Sequence, residues 1–112
     1  MKDDKLYLLH VKQAIGKIFK YAESGKEAFF ADEKTQDAVI RNIEIIGEAV
    51  KNISADLKTS YPEIPWRRIA GMRDKMIHEY FGVNLDLIWE TVERDLPELL
   101  KNTKNILKEI FF

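Results

Sequence analysis

The sequence predicts an all-α protein, an up-and-down bundle of four main helices with short helical turns between them. Three observations support this prediction. Apolar residues recur every three or four positions along nearly all of the 112 residues, no segment shows the alternation typical of strands, and glycine and proline fall where the period breaks. The composition, 46% hydrophobic and 33% charged, suits a bundle with solvated outer faces.

The first two helices are predicted from their apolar stripes. The first runs from about residue 3 to Ser24, and Gly25 suits its C-terminal cap because glycine adopts the left-handed conformation at little cost. Its stripe is Leu8, Val11, Ile15, Ile18 and Ala22. The second runs from about Glu33 to Asn52, after which Ser54 can cap a short turn. Its stripe is Val39, Ile43, Ile46, Val50 and Ile53.

The third and fourth helices follow a proline-rich break at residues 62–65. The third is predicted to begin near Pro65 and to stop near Gly82, with Ile69, Met72, Met76 and Tyr80 on one face. Asn84 is a good N-cap for the fourth, which contains Pro97 and is therefore expected to kink there or to restart with Asp95 as cap. Its inner stripe is Ile88, Val92, Leu96, Leu99, Thr103, Ile106 and Ile110.

Charge and composition exclude several function classes. A net charge of −1 gives no broad surface for a polyanion, so RNA binding would have to be local or completed by a second subunit. The absence of cysteine excludes disulfides, zinc–thiolate sites and thiol catalysis. No apolar run suits a signal peptide or a membrane span, so we expect a cytoplasmic protein. No ligand spacing or glycine-rich phosphate loop indicates a metal or a cofactor.

The segment RDKMIHEYFG at residues 73–82 concentrates the polar groups that suit chemistry. On a continuous helix, Arg73 and His78 lie about 140° apart and do not share a stripe. They would meet if the arginine stem wrapped back, if the helix loosened before Gly82, or if a second copy supplied the opposing face. Asp74 lies about 40° from His78 on the same helix, where its carboxylate would fix the imidazole tautomer.

A histidine beside an arginine is the minimum equipment for cleaving RNA without a metal. The 2′-hydroxyl supplies the nucleophile, the imidazole moves protons, and the guanidinium stabilises charge on the phosphate. DNA lacks that hydroxyl and is not expected as a substrate. On spacing alone, however, the structural interpretation is stronger, in which His78 complements a helix dipole and Arg73 pairs at the surface. His10, alone on the first helix, is expected to be a partly buried surface histidine.

Three blocks of the sequence resemble the HEPN superfamily, and within it the short HepT-like toxins. They are IRNIEIIGEAV at 40–50, PEIPWRRIAGMRDKMIHEYFGVN at 62–84 and LIWETVERDLPELL at 87–100. The R-x-x-x-x-H core would be a weak signal by itself. Together with the preceding IPW, the intervening Asp74, the following Tyr80 and the GEA block, it makes a strong resemblance across the chain.

The resemblance implies a single HEPN-like helical domain over residues 1–112, homodimeric, with two R-x-x-x-x-H motifs meeting in a cleft at the interface. It implies a metal-independent endoribonuclease, the toxin of a toxin–antitoxin pair, in which Arg73 and His78 are catalytic and Asp74 supports them. The implied partner is a minimal nucleotidyltransferase (MNT) antitoxin that adenylylates Tyr80. A nucleotide on Tyr80 would block the cleft and compete for Arg73.

Other residues near the motif have two interpretations. Glu44 and Glu48 either line the cleft or pair with basic residues of a neighbouring helix, the second being favoured. Three basic side chains either guide an RNA backbone or belong to a solvated face: Arg67, Arg68 and Lys75. The alternatives to a ribonuclease are a non-catalytic adaptor that binds a nucleotidyltransferase or a nucleotide, and a purely structural dimerisation module.

Overall fold

The computed structural model of the protein describes residues 3–78 and 82–111, with His78 described by its backbone alone. Its helices are α1 (Asp4–Tyr21), α2 (Lys26–Ala31), α3 (Glu33–Asn52), α4 (Ala55–Ser60), α5 (Trp66–Ala70), α6 (Met72–Met76), α7 (Leu85–Glu90) and α8 (Leu96–Ile106). Two short strands, β1 (Ile77–His78) and β2 (Gly82–Val83), lie between α6 and α7. Segments of π-helix follow α7 and α8, at Thr91–Asp95 and Leu107–Phe111. The predicted all-α bundle is confirmed.

The core lies between α1, α3 and the C-terminal helix, the name used here for α7, α8 and the two π segments together. The apolar stripes predicted for the first two helices are buried along their whole length, and α3 has the bounds that the periodicity predicts. α3 begins where the Asp32 carboxylate accepts the Lys34 amide N–H at 3.1 Å. α1 ends at Tyr21, earlier than predicted, and Gly25 has a φ of 96° in the turn that follows. Within the described residues, no helix is long and apolar enough to cross a membrane.

A buried carboxylate ties the start of α1 to the start of α4. Asp4 is 1% exposed, and its two oxygens accept the Ser54 amide N–H at 2.8 Å and the Ser54 hydroxyl at 2.6 Å. The Ser54 hydroxyl oxygen in turn accepts the Leu57 N–H at 3.2 Å, as the predicted cap requires. Burial raises the pKa of Asp4, but hydrogen bonds, those from Ser54 among them, outweigh burial and hold this pKa below its ordinary value.

The fourth helix begins as predicted and passes Pro97 by widening. The Asn84 side chain accepts the Leu87 N–H at 3.0 Å, and the helix then runs through α7, the first π segment and α8. Proline lacks the N–H that an α-helix needs in its interior, and the widened turn immediately before it accommodates that loss. Asp95 makes no side-chain cap, so a capped restart is wrong. Ile110 is 49% exposed, although the stripe places it inside.

The predicted third helix is wrong beyond Met76. It is divided at Gly71 into α5 and α6, and Ile77 has extended angles, φ −117° and ψ 122°. β1 pairs antiparallel with β2, Ile77 opposite Val83 and His78 opposite Gly82. The Met76 carbonyl accepts the Asn84 N–H at 2.8 Å instead of continuing a helix, and Gly82 has a φ of 81°, which glycine adopts readily.

Candidate active site

Arg73 lies on α6 and reaches across to α3. Its Nε lies 3.2 Å from Oε2 of Glu44, and the two side chains are 45% and 36% exposed. The neighbouring Asp74 lies beside the same guanidinium, with Oδ1 3.6 Å from Nη1, and its own side chain is 76% exposed. The guanidinium is therefore anchored on one side by α3 and open to solvent on another, as a group that binds an anion must be.

A close approach of backbones brings α6 to this position. A Cβ at Gly47, one turn after Glu44 on α3, would lie 3.0 Å from the carbonyl oxygen of Ala70, the last residue of α5. That distance is shorter than side-chain contacts normally allow, so the glycine lets α5 lie close to α3. Because α6 follows α5 after Gly71, the same contact sets the distance between Arg73 and Glu44.

The structure changes the geometry expected for His78. Its backbone belongs to β1, so the angles of about 140° and 40° that a continuous helix would give do not apply. Asp74 is four residues earlier, but on a helix that ends at Met76, and its described contact is with Arg73. The expectation that helical spacing brings the Asp74 carboxylate to the imidazole is therefore wrong in its basis. Tyr80 lies outside the described residues.

The three basic side chains near the motif do not surround Arg73. Arg68 and Lys75 line a groove of about 480 Å³ between α5–α6 and the C-terminal helix, which Arg73 does not line. Arg68 pairs loosely there with Asp95, Nη2 to Oδ1 at 3.7 Å. Arg67 is exposed on α5. Trp66 is half-buried against the core, and its Nε1 donates to the Tyr61 carbonyl oxygen at 3.0 Å.

Sequence reasoning underestimated the polar face of α3. Glu44 pairs with a basic residue of a neighbouring helix, the interpretation that was favoured, and that residue is Arg73 itself. Glu44 also lines a shallow groove of about 390 Å³ between α1 and α3, together with Tyr7, His10, Arg41, Ile45, Glu48, Ala49 and Asn52. The available signal was the helical spacing of Arg41, Glu44 and Glu48, which places all three on one face.

The expectation for His10 is also wrong. It is exposed rather than partly buried, and its ring meets Tyr7 edge to face, with centroids 6.5 Å apart. It therefore lies at the mouth of the groove that Glu44 shares. Among the described side chains, those of residues 3–77 and 82–111, no three histidine, aspartate or glutamate groups come together as metal ligands would.

Comparison with known proteins identifies the family of the chain. The sequence profile of the Ribonuclease HepT-like family matches residues 11–106. "Probable ribonuclease HepT" of Thermococcus cleftensis is 52% identical over 99 residues, 88% of this chain and 90% of that protein. "Putative RNase TTE0752" of Caldanaerobacter subterraneus is 44% identical over 97% of this chain and 98% of its own length.

A third relative is a longer protein. "Gamma-glutamylcyclotransferase and putative RNase MJ0434" of Methanocaldococcus jannaschii is 46% identical over 110 residues, 97% of this chain. The chain spans about 50% of the length of that relative. No solved structure matches the chain significantly. The family profile covers most of the chain, and the match includes both Arg73 and His78. The chain therefore belongs to the Ribonuclease HepT-like family.

Proposed function

We propose that this protein is a metal-independent endoribonuclease, the toxin of a toxin–antitoxin pair, in which Arg73 binds the scissile phosphate and His78 transfers protons. Membership of a ribonuclease family supports the enzyme class. The observation that most supports the residue assignment is the Arg73 guanidinium, held at Nε by Glu44 and 45% exposed, inside the R-x-x-x-x-H segment. A planar fork of donors in that state suits the oxygens of a phosphate.

The reaction we propose is attack of the ribose 2′-oxygen on the adjacent phosphorus. An imidazole takes the 2′-hydroxyl proton as the new P–O bond forms, and a proton is given to the 5′-oxygen as its bond to phosphorus breaks. The products are a cyclic phosphate and a free 5′-hydroxyl, with no water or metal consumed in this step. The Arg73 guanidinium stabilises the charge that builds on the non-bridging oxygens.

A homodimer would bring Arg73 of one copy to His78 of the other. A single chain offers one R-x-x-x-x-H motif, whereas a two-fold axis through the motif brings the same residues from two copies together. Each of two shared sites then combines Arg73 of one copy with His78 of the other, and that imidazole returns to the 5′-oxygen the proton that it took from the 2′-hydroxyl. Arg73 lies on the exposed edge of α6, at a position that a second copy can reach.

Cleavage of a labelled mixed-sequence RNA in excess chelator tests this proposal. The wild-type protein should cleave, and Arg73→Ala and His78→Ala should each lose about 100-fold or more, because general acid–base catalysis contributes roughly 10²–10⁴-fold. Arg67→Ala, which removes the same charge from the exposed face of α5, should keep wild-type activity. Activity that disappears in chelator, or full activity of His78→Ala, would exclude the mechanism. Tight binding of a nucleotidyltransferase without cleavage would identify the adaptor instead.

The regulatory part of the proposal concerns Tyr80. A minimal nucleotidyltransferase is the proposed antitoxin, and it would transfer AMP from ATP to the Tyr80 hydroxyl with release of pyrophosphate. Tyr80 lies two residues from His78 in the sequence, so an anionic nucleotide there would exclude RNA and compete for Arg73. Peptide mass spectrometry after incubation with the partner and ATP should find AMP on Tyr80, and Tyr80→Phe should remain unmodified and toxic. Modification at another residue would refute this assignment.

A further inference from the structure

We infer that Glu44 is a positioning residue for Arg73: its carboxylate fixes Nε and thereby points the terminal amino groups of the guanidinium at the RNA phosphate. The inference rests on the proposed function, in which Arg73 contacts the phosphate. It adds a role on α3, outside the R-x-x-x-x-H motif. The two interpretations of Glu44, that it lines the cleft or that it pairs with a basic residue, are thus combined. Glu44 pairs with Arg73, and Arg73 acts in the cleft.

The donors of the Arg73 guanidinium lie at its stem end, on Nε, and along its distal edge, on Nη1 and Nη2. Arginine presents five N–H groups in one plane, and Glu44 Oε2 forms an ion pair 3.2 Å from Nε, at the stem end of the guanidinium. Asp74 lies 3.6 Å from Nη1, longer than a hydrogen bond, and its side chain is largely exposed. Among the described residues, no ion pair engages Nη2. The distal edge, formed by Nη1 and Nη2, therefore remains available for the paired oxygens of a phosphate.

The supports on the two sides of this contact differ in rigidity. Glu44 lies in the interior of the twenty-residue α3, flanked in sequence by the fully buried Ile43 and followed by Ile46, also fully buried. Arg73 lies on the five-residue α6, which passes into extended backbone at Ile77. A long arginine stem on so short a helix has many rotamers, and a carboxylate on a fixed helix selects among them.

The contact is poorly explained as a stabilising interaction. Both side chains are more than a third exposed, and ion pairs of that kind contribute little to folding because solvent screens them. A carboxylate beside a phosphate-binding arginine also repels the substrate. The carboxylate still favours catalysis if orienting the guanidinium lowers the activation free energy by more than this repulsion raises it.

The chain offers a matched control. Glu48 lies one turn further along α3, on the same face and in the same groove. Within the described part of the chain it forms no ion pair with Arg73. Glu44→Ala and Glu48→Ala therefore remove the same charge from the same surface, and differ in the contact with Nε. Glu44→Gln keeps an oxygen of the same reach from α3 while losing the charge.

The experiment measures kcat/KM for the labelled mixed-sequence RNA in chelator. The kcat/KM of Glu44→Ala should be about 10- to 100-fold lower than that of Glu48→Ala, because misplacing a catalytic group by about 1 Å causes a loss of this size. Glu44→Gln should recover most of that loss, which a residue acting through its charge would not do. Glu44→Ala activity equal to or above that of Glu48→Ala would overturn the inference, the higher value showing that Glu44 masks Arg73.

Two further measurements separate this inference from the proposed function. If Arg73→Ala is inactive while Glu44→Ala matches its control, the inference fails and the proposed function stands. If Arg73→Ala is fully active, the proposed function fails first. Thermal unfolding of the Glu44→Ala protein should match that of Glu48→Ala, and a large difference in melting would mean that the contact holds the fold instead of orienting Arg73.

Discussion

The α1–α3 pair and the segment from Pro65 to Asn84 differ in how well the spacing of apolar residues predicts their backbone. In the first, the spacing of apolar residues determines what is buried, and α3 has the bounds that the spacing predicts. In the second, apolar residues at helical spacing are also buried as far as Met76, but the backbone then leaves the helix. Periodicity therefore identifies the side chains that enter the core, and it does not fix where a helix ends.

The difference teaches that the candidate site occupies the part of the molecule least determined by the core. Arg73 and His78 belong to a short helix and a two-residue strand, whereas Glu44 belongs to the twenty-residue α3. A scaffold of this kind holds one partner of an ion pair firmly and leaves the other adjustable. Functional groups on short, irregular elements above a rigid layer are common in enzymes.

The largest expected effect separates the two regions by stability. Ile43→Ala removes a fully buried side chain of α3 and should lower the free energy of unfolding by about 2–5 kcal/mol. Val83→Ala shortens a side chain of β2 that is 41% exposed, and should cost less than about 1 kcal/mol. Urea denaturation of both variants measures the two values. Equal losses would contradict the division into a core layer and a site segment.

The next effect tests the tie between α1 and α4. Asp4→Asn cannot accept both hydrogen bonds from Ser54 and should cost about 1–3 kcal/mol at neutral pH. The pKa of Asp4 is lowered by folding, so its contribution is complete above the unfolded value of 3.8 and is lost as the pH falls through the lower folded value.

Unfolding curves at several pH values check this prediction. The gap between the wild-type protein and Asp4→Asn should be constant from about pH 5 to pH 8 and should narrow below the unfolded pKa of 3.8. A gap that stays the same in acid would show that the Asp4 charge does not contribute.

A smaller effect tests the contact that joins the two regions. Gly16 lies in α1 with nothing within 4 Å of an added Cβ, so Gly16→Ala should gain about 0.5–1 kcal/mol from backbone entropy. Gly47→Ala receives the same gain, but its methyl group meets the Ala70 carbonyl oxygen at 3.0 Å. We expect a net loss of about 0–2 kcal/mol, since overpacking typically costs 1–3 kcal/mol, together with weaker RNA cleavage as α6 moves from α3. Chemical denaturation of the two variants measures their free energies of unfolding. A Gly47→Ala protein as stable as Gly16→Ala would refute the close approach of α5 to α3 at Gly47.

The smallest effect is expected at the groove beside α5. Arg68 and Asp95 are 3.7 Å apart with side chains 56% and 40% exposed, so Arg68→Ala should change stability by less than about 0.5 kcal/mol. Because Arg68 lines a different groove from the Glu44 carboxylate, its loss should also leave cleavage nearly unchanged. A large fall in cleavage would show that RNA crosses this groove, and would extend the site beyond Arg73.

Much of the fold could be predicted because the buried side chains recur at helical spacing in the sequence. The stripes of the first, second and fourth helices, the caps at Ser54 and Asn84, and the disturbance at Pro97 all follow from local rules. Ile110 was mispredicted because the helix widens into a π segment at Leu107–Phe111, where α-helical spacing no longer holds, and Phe111 packs on the core instead.

The candidate site was less accessible to the same reasoning. Helix propensity gives no warning that Ile77 turns to extended backbone, since the ladder with β2 forms between residues four and six positions apart. The Arg73–Glu44 pair joins positions far apart in sequence, and each carries a charge that many partners could satisfy. The R-x-x-x-x-H segment was found by resemblance to a family, and the family profile confirms that membership.

The most direct test of the account is complementation between two inactive proteins. Arg73→Ala and His78→Ala, unfolded together in equal amounts and refolded, should yield mixed dimers in which one of two shared sites has both groups. About half of the dimers are then mixed, each with one intact site, so cleavage in chelator should return to about a quarter of the wild-type rate. Activity no greater than that of the two variants refolded separately would contradict a site assembled from two chains.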